Sequence, residues 1–187
     1  MEQTDPRQLL INIVKILEKL KIPYFVTGGM AVLIWGRPRF TADIDLIIVL
    51  KADDINKLEK ALLAFSKAGY VDKEAIKDAF FRHGEFNFID GETGVKVDFW
   101  ISKNDQFDSS RLKRKITKNI LNKNIYFSSP EDLILIKLLW YKESPLSRQL
   151  EDVESVFKIS GDKLDKKYLK QWASKLGVSE ILKKIKY

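Results

Sequence analysis

Apolar residues recur along the chain at two spacings, and the switches between them divide it into elements. Leu9, Leu10, Ile13, Ile16, Leu17 and Leu20 fall on one helical face, with Asp5 placed as N-cap and Pro6 at the first helical position. That stripe belongs to a core. Pro23-Tyr24-Phe25-Val26-Thr27 reads as a short buried strand, and residues 30–35 read as an apolar helix reached through the turn Gly28-Gly29. Asp43-Ile44-Asp45-Leu46-Ile47-Ile48-Val49-Leu50 is a second strand, residues 53–68 an amphipathic helix closed by Gly69. Residues 85–90 form a strand joined through Gly91-Glu92-Thr93-Gly94 to Val95-Lys96-Val97-Asp98-Phe99-Trp100-Ile101. In that last run strict alternation puts Val97, Phe99 and Ile101 on a core face, and Lys96, Asp98 and Trp100 on the other. The order predicted for this half is helix, strand, helix, strand, helix, hairpin.

Further on, residues 116–128 predict a small hairpin around Asn122-Lys123-Asn124. A helix opens at Ser129-Pro130-Glu131-Asp132, with a serine cap, proline at the first position and acids at the positive end of the dipole. Leu133, Ile136, Lys137 and Trp140 lie along its neighbouring faces, so Lys137 interrupts an apolar run; on the next helix Arg148 and Asp152 share a face. Strands mixed with helices in this way predict an α/β (α+β) fold, a small mixed sheet flanked by helices and followed by a mostly helical lobe.

Composition narrows the class. With 187 residues, 45% of them hydrophobic, the chain is long enough for a sizeable core. It has no cysteine, which excludes a disulfide framework, a zinc thiolate site and a thiol nucleophile. No apolar run approaches a membrane span and no N-terminal segment resembles a signal peptide, so a cytoplasmic protein without membrane contact is expected. The net charge of +7 is unevenly placed. Residues 1–102 carry 14 Lys and Arg against 15 Asp and Glu, or −1, whereas residues 103–187 carry 19 against 11, or +8. A division into a lobe at 1–102 and a basic, mostly helical lobe at 103–187 is therefore expected. A lysine-rich solvated surface explains the second as well as a polyanionic partner does.

The candidate chemistry lies on the strands. Side chains alternate along a strand, so Asp43 and Asp45 point the same way and repel each other unless a cation sits between them. All-oxygen ligands suit hard ions such as Mg2+ (or Mn2+), and a pair of such ions about 3.5 to 4 Å apart can clamp the attacking and leaving oxygens of a phosphoryl transfer. Asp98, in mid-strand, has no turn to serve and needs a partner if buried. Gly28-Gly29, before a helix N-terminus, permits close approach of an anion. Singly, each motif has an ordinary structural reading, a tight connection or a turn aspartate.

Taken in order, Gly28-Gly29, Asp43-Ile44-Asp45-Leu46 and Val97-Asp98-Phe99 resemble the DNA polymerase beta-like nucleotidyltransferase superfamily, over roughly residues 23 to 101. The resemblance implies that Asp43 and Asp45 hold magnesium, that Asp98 helps bind one ion and activates an acceptor hydroxyl, and that the glycine turn meets a nucleoside triphosphate. Many members carry serine as the second turn residue. Gly29 here leaves the phosphate contacts to backbone amides, with Thr27 nearby. The loop Arg37-Pro38-Arg39-Phe40-Thr41 offers Arg39 and Thr41 as further nucleotide contacts. Residues 130–156 resemble the C-terminal part of abortive-infection toxin-type (type IV toxin-antitoxin) nucleotidyltransferases, which implies that Lys137 approaches the phosphates and Asp152 supports it; a snorkelling lysine and a surface ion pair are the competing readings. That likeness favours transfer to an RNA 3′ end, tRNA in particular, in a toxin with a cognate antitoxin. The basic cluster Arg111, Lys113, Arg114 and Lys115 is the expected nucleic-acid contact. Transfer to a protein hydroxyl and a noncatalytic nucleotide- or RNA-binding module are the alternatives. The lone His83, without a second imidazole or thiol, is expected to play no metal role.

Overall fold

The computed structural model describes residues 5–185. Its first helix, α1 (Pro6–Lys19), starts where the sequence predicts: the Asp5 carboxylate accepts from Arg7 N at 2.9 Å, and Leu10, Ile13, Val14 and Leu17 are fully withdrawn from water. The chain continues through β1 (Tyr24–Thr27), buried throughout, into α2 (Gly28–Trp35), then β2 (Asp43–Ile48) and α3 (Ile55–Phe65). Between α3 and the expected hairpin lie two elements the hydrophobic pattern did not reveal, β3 (Tyr70–Val71) and α4 (Lys73–Arg82). Only Ile76 and Ala79 of α4 are buried, too sparse a stripe to stand out against its charged positions. His83 ends α4 in a left-handed conformation, φ 51°, and its Nδ1–H donates to the Ser102 carbonyl at 3.0 Å.

The hairpin is β4 (Glu85–Ile89) and β5 (Lys96–Ile101), followed by α5 (Gln106–Arg114), capped by Asp105, whose carboxylate accepts from Asp108 N at 2.8 Å. This helix was not legible in the sequence, which showed only the basic cluster in its last turn. The second hairpin, β6 (Ile116–Ile120) and β7 (Lys123–Phe127), turns at Leu121 and Asn122, both with positive φ, one step before the expected centre. Then come α6 (Pro130–Glu143), α7 (Ser147–Ser160), α8 (Lys166–Lys175) and α9 (Ser179–Lys184). The Ser129 hydroxyl accepts from Asp132 N and caps α6 as expected.

One seven-stranded mixed sheet runs in the order β3-β4-β5-β2-β1-β7-β6, with β2 parallel to β5, β1 parallel to β7, and the remaining neighbours antiparallel. The sheet therefore continues past residue 102, because β7 joins it beside β1. Helix α2 ties the two halves together: Trp35 Nε1 donates to the Ser128 carbonyl at 2.9 Å, and Ser160 Oγ donates to the Trp35 carbonyl at 2.7 Å. Among the described residues no helix is long and apolar enough to cross a membrane.

Candidate active site

Parallel pairing of β2 with β5 sets Asp45 directly beside Asp98, while the intervening Ile44, Leu46, Val97 and Phe99 point into the core. Asp43 lies two residues before Asp45 on the same face, so the three aspartates share one face of the sheet, as the alternation predicted. Lys96 shares that face. Its Nζ lies 2.8 Å from Asp98 Oδ2 and 3.9 Å from Asp43 Oδ2, which places an ammonium among the carboxylates. The hydrogen bond that Lys96 donates to Asp98, reinforced by the charges of Asp98, Asp43 and Asp45, holds Lys96 above the ordinary lysine range.

Asp45 is less well compensated. Burial, and then the charge of Asp98, push its carboxyl above the usual range, against Gly29 N–H, Lys137 and the Trp100 indole, which favour its charge. Trp100 Nε1 lies near enough to temper Asp45, but no acceptor stands at hydrogen-bond distance from it. Glu85, on β4 opposite Trp100, is likewise raised by burial and by Asp98. Among the described residues no three acidic or imidazole side chains converge closely enough to enclose an ion. The donor set still suits a hard divalent cation: it is all oxygen, it is crowded with like charge, and Lys96 already stands in for positive charge there.

The glycine turn presses on these carboxylates. Gly28 has φ +58°, and a Cβ added to it would lie 1.8 Å from Asp45 Oδ2, so only glycine fits. Gly29 N–H points at Asp45 Oδ2, 3.4 Å away. A Cβ on Gly29 would lie 2.1 Å from Thr41 Oγ1, so the hydroxyl of Thr41 fills the space that a side chain at position 29 would need. Thr27 Oγ1 is buried with no hydrogen-bond partner. Gly28→Ala is expected to slow catalysis by about a hundredfold or more, the scale of a misplaced reacting group, and to lower the melting temperature. Gly161→Ala, whose added methyl meets nothing within 4 Å, is the control. Wild-type rates in the Gly28 variant would remove the turn from the site.

Lys137 and Asp152 meet as the resemblance implied, and a third group joins them. Arg39 grips Asp152 with two hydrogen bonds, Nε to Oδ1 at 2.6 Å and Nη2 to Oδ2 at 2.7 Å, while Lys137 Nζ reaches Oδ2 at 2.7 Å. Lys137 and Asp152 are both buried. Burial pulls Lys137 below the ordinary lysine range, opposed by Asp152. Burial would raise Asp152, but the Arg39 hydrogen bonds and the Lys137 charge outweigh it and hold the carboxyl below its ordinary value. Asp152 is not paired with Arg148, its neighbour one turn earlier: Arg148 Nη2 donates instead to the Phe40 carbonyl at 2.9 Å, a carbonyl that also accepts from Arg39 Nη1 at 3.0 Å.

The basic cluster on α5 needs correction. Arg111 is buried, ion-paired with Asp108 and stacked over the rings of Phe107 and Phe25, so it presents nothing to a nucleic acid. Helical spacing puts it on the same inward face as Phe107 and Asp108. Arg114 pairs with Glu131 at 2.9 Å and lies over the Tyr168 ring, and Lys115 lies over the Tyr126 ring; Lys113 alone of the four is exposed.

Sequence reasoning assigned no role to Lys96 or Trp100, although their alternation with Asp98 placed both on the site face. It also gave no sign that Trp140 of α6 packs at a tilt against Trp100, with ring centroids 5.7 Å apart.

Comparison with known proteins adds to this geometry. Residues 15–179 match the family model described as nucleotidyl transferase AbiEii toxin, type IV TA system. Among solved structures, the chain is similar to ANT(2″)-Ia in complex with adenylyl-2″-tobramycin, with a TM-score of 0.62 and 14% identity over 92% of this chain and 97% of that one. It is also similar to an antigenic nucleotidyltransferase-like protein from Paracoccidioides brasiliensis (TM-score 0.58, 18% identity, 93% and 88% covered). The lincomycin-bound lincosamide antibiotic adenylyltransferase LnuA shares the fold too (TM-score 0.55, 15% identity, 84% and 98% covered). No curated protein sequence matches the chain.

Proposed function

Because the chain belongs to the AbiEii nucleotidyl transferase toxin family of type IV toxin-antitoxin systems, we propose that it moves a nucleoside monophosphate from a nucleoside triphosphate to the 3′-terminal hydroxyl of an RNA, tRNA foremost. The observation that carries this reading is the register of Asp45 with Asp98, with Asp43 beside them and the Gly28-Gly29 turn pressed against Asp45. Asp43, Asp45 and Asp98 are the residues that would hold Mg2+ or Mn2+; when bound, such ions supply charge neutralisation and Lewis acidity at the reacting phosphate.

The chain's own groups account for the remaining steps. The amides at the start of α2, with Thr27 and Thr41 at hand, face the triphosphate, and Arg39 and Lys137 bring positive charge toward it. Asp98 takes the proton of the acceptor hydroxyl. The acceptor oxygen then bonds to the α-phosphorus as the bond to the bridging oxygen breaks, and pyrophosphate leaves with that electron pair. Lys96, held between Asp98 and Asp43, keeps those two carboxylates in place. An antitoxin partner follows from the family.

The test is to incubate the protein with each labelled nucleoside triphosphate, magnesium, total RNA and cell lysate, and to find which macromolecule acquires label. Label on RNA, strongest on tRNA and lost on chelation, is the expected result. Label on a protein would move the acceptor to a protein hydroxyl. No label under any nucleotide would leave a binding module.

A further inference from the structure

Where β5 meets the C-terminal turn of α6, a cavity of about 300 Å³ opens beside the carboxylates, lined by Asp45, Trp100, Trp140, Glu143, Leu146 and Gln149. No lysine or arginine lines it directly; Lys137 Nζ lies over the Trp140 ring, 5.3 Å from its centroid, and is bound to Asp152. What the cavity offers instead is aromatic surface. The indoles of Trp100 and Trp140 touch, with planes 35° apart. A ligand ring sandwiched between them would need about 7 Å, two layers of van der Waals contact, so it can only stack on an open face. Gln149 Oε1, an acceptor of the lining, is buried without a partner, while Trp100 Nε1, the other unpartnered atom, acts on Asp45. A flat ring carrying a hydrogen-bond donor on its edge matches Gln149 Oε1. Nucleobases have this chemistry.

Two nucleobases would be at hand, one on the triphosphate and one at the end of the acceptor, and the order of the strands separates them. The glycine turn follows β1, Asp43 and Asp45 stand on the adjacent β2, and Asp98 and Trp100 stand on β5 beyond it. Trp100 is two residues past Asp98 on the same face. One wall of the cavity is Asp45 itself, but Trp100, another wall, stands beyond Asp45 on the strand that carries Asp98, away from the glycine turn, where the attacking hydroxyl must approach.

We infer that this cavity is the seat of the acceptor's 3′-terminal base, which stacks on the Trp100–Trp140 pair and bonds at its edge to Gln149 Oε1. The inference rests on the reading of RNA as acceptor. It makes Trp140 and Gln149 positioning residues, which hold the terminal ribose hydroxyl within reach of Asp98.

The experiment is equilibrium binding by fluorescence anisotropy, which needs no turnover. Two 5′-labelled ribo-oligonucleotides are compared, identical except that one lacks the 3′-terminal base. The wild-type protein is expected to bind the intact oligonucleotide about tenfold more tightly, within the range of one base stacked on an aromatic side chain. Trp140→Ala should bind both with the same weak affinity, Trp140→Phe should restore part of the preference, and Gln149→Leu should reduce it several-fold. Binding of a non-hydrolysable nucleoside triphosphate analogue should be unchanged in Trp140→Phe, which keeps an aromatic face under Lys137 Nζ, and in Gln149→Leu, which also reports that they are folded. Equal binding of the two oligonucleotides by the wild type would overturn the cavity assignment alone. Loss of analogue binding in folded Gln149→Leu would overturn it in favour of the triphosphate's own base. If neither oligonucleotide binds the wild type, the RNA reading falls and takes this inference with it.

Discussion

Asp45→Asn is expected to reduce nucleotidyl transfer by about a thousandfold or more, while raising the melting temperature of the metal-free protein by about 2 to 4 °C. Both effects have one origin. Asp45 is a partly buried carboxylate beside Asp98, without a cation at bonding distance, and burial and its neighbour both disfavour its charge. Asparagine keeps the shape and can still accept from Gly29 N–H, but removes the repulsion, so the metal-free fold gains. The same change takes away the carboxylate charge on which the proposed cation site depends, so the chemistry loses. The measurements are a rate in the labelled-nucleotide assay and calorimetric melting in chelator. Activity above a few per cent would mean that the cation site has been assigned to the wrong carboxylate. A lower melting temperature would mean that Asp45 serves the fold.

Asp152→Ala has the opposite character. It is expected to cost about 3 to 5 kcal/mol of stability, because it strands Lys137, which is buried, without its counter-ion. In a chain of this size that is a fall of about 10 °C in melting temperature. The pH dependence has a definite sign. The Asp152 carboxyl is held below its ordinary value of 3.8, so its stabilisation is fully present above that value and is lost as pH falls through the lower, folded value. The melting temperatures of wild type and Asp152→Ala should therefore differ most at neutral pH and converge in acid.

A double variant, Lys137→Met with Asp152→Leu, separates fold from function. Replacing both partners by apolar groups should recover most of the stability, since a buried pair costs its own desolvation. Arg39, partly open to solvent, tolerates the loss of its partner better than Lys137 does. Transfer should stay low in the double variant, because the positive charge that Lys137 directs toward Asp45 is gone. Recovery of both stability and transfer would make the Lys137–Asp152 pair structural only.

Much of the site could be read directly from the order of residues, and the reason is that its signals are local. Alternation along β2 and β5 is a property of any strand, so Asp43 and Asp45 could be assigned to one face, and Asp98 to the face opposite the core residues Val97 and Phe99, before any partner strand was known. The caps Asp5 and Ser129 are likewise set within three residues of the helices they open. The glycine turn was legible because a strand and a helix met there with no other residues between them.

Tertiary structure decided which faces meet. Nothing near Asp45 in the chain specifies Asp98 as its neighbour; that follows from parallel pairing across an intervening helix pair and hairpin strand. The second hairpin's place beside β1 is a parallel contact about a hundred residues apart in the chain, invisible to any local period. Arg111 looked like surface because four cations crowd five positions, yet its helix face packs on Phe25 and Phe107 and Asp108 neutralises it. The partners of Asp152 were chosen in the same way. Arg148, one turn away, was the local candidate, but the fold brings Arg39 across 113 positions and encloses the carboxylate with Lys137, where fewer waters compete and the charges hold each other more strongly. Local patterns determine what a segment presents; the packing of distant segments determines what each group is presented to, and so which charges become a site and which become core.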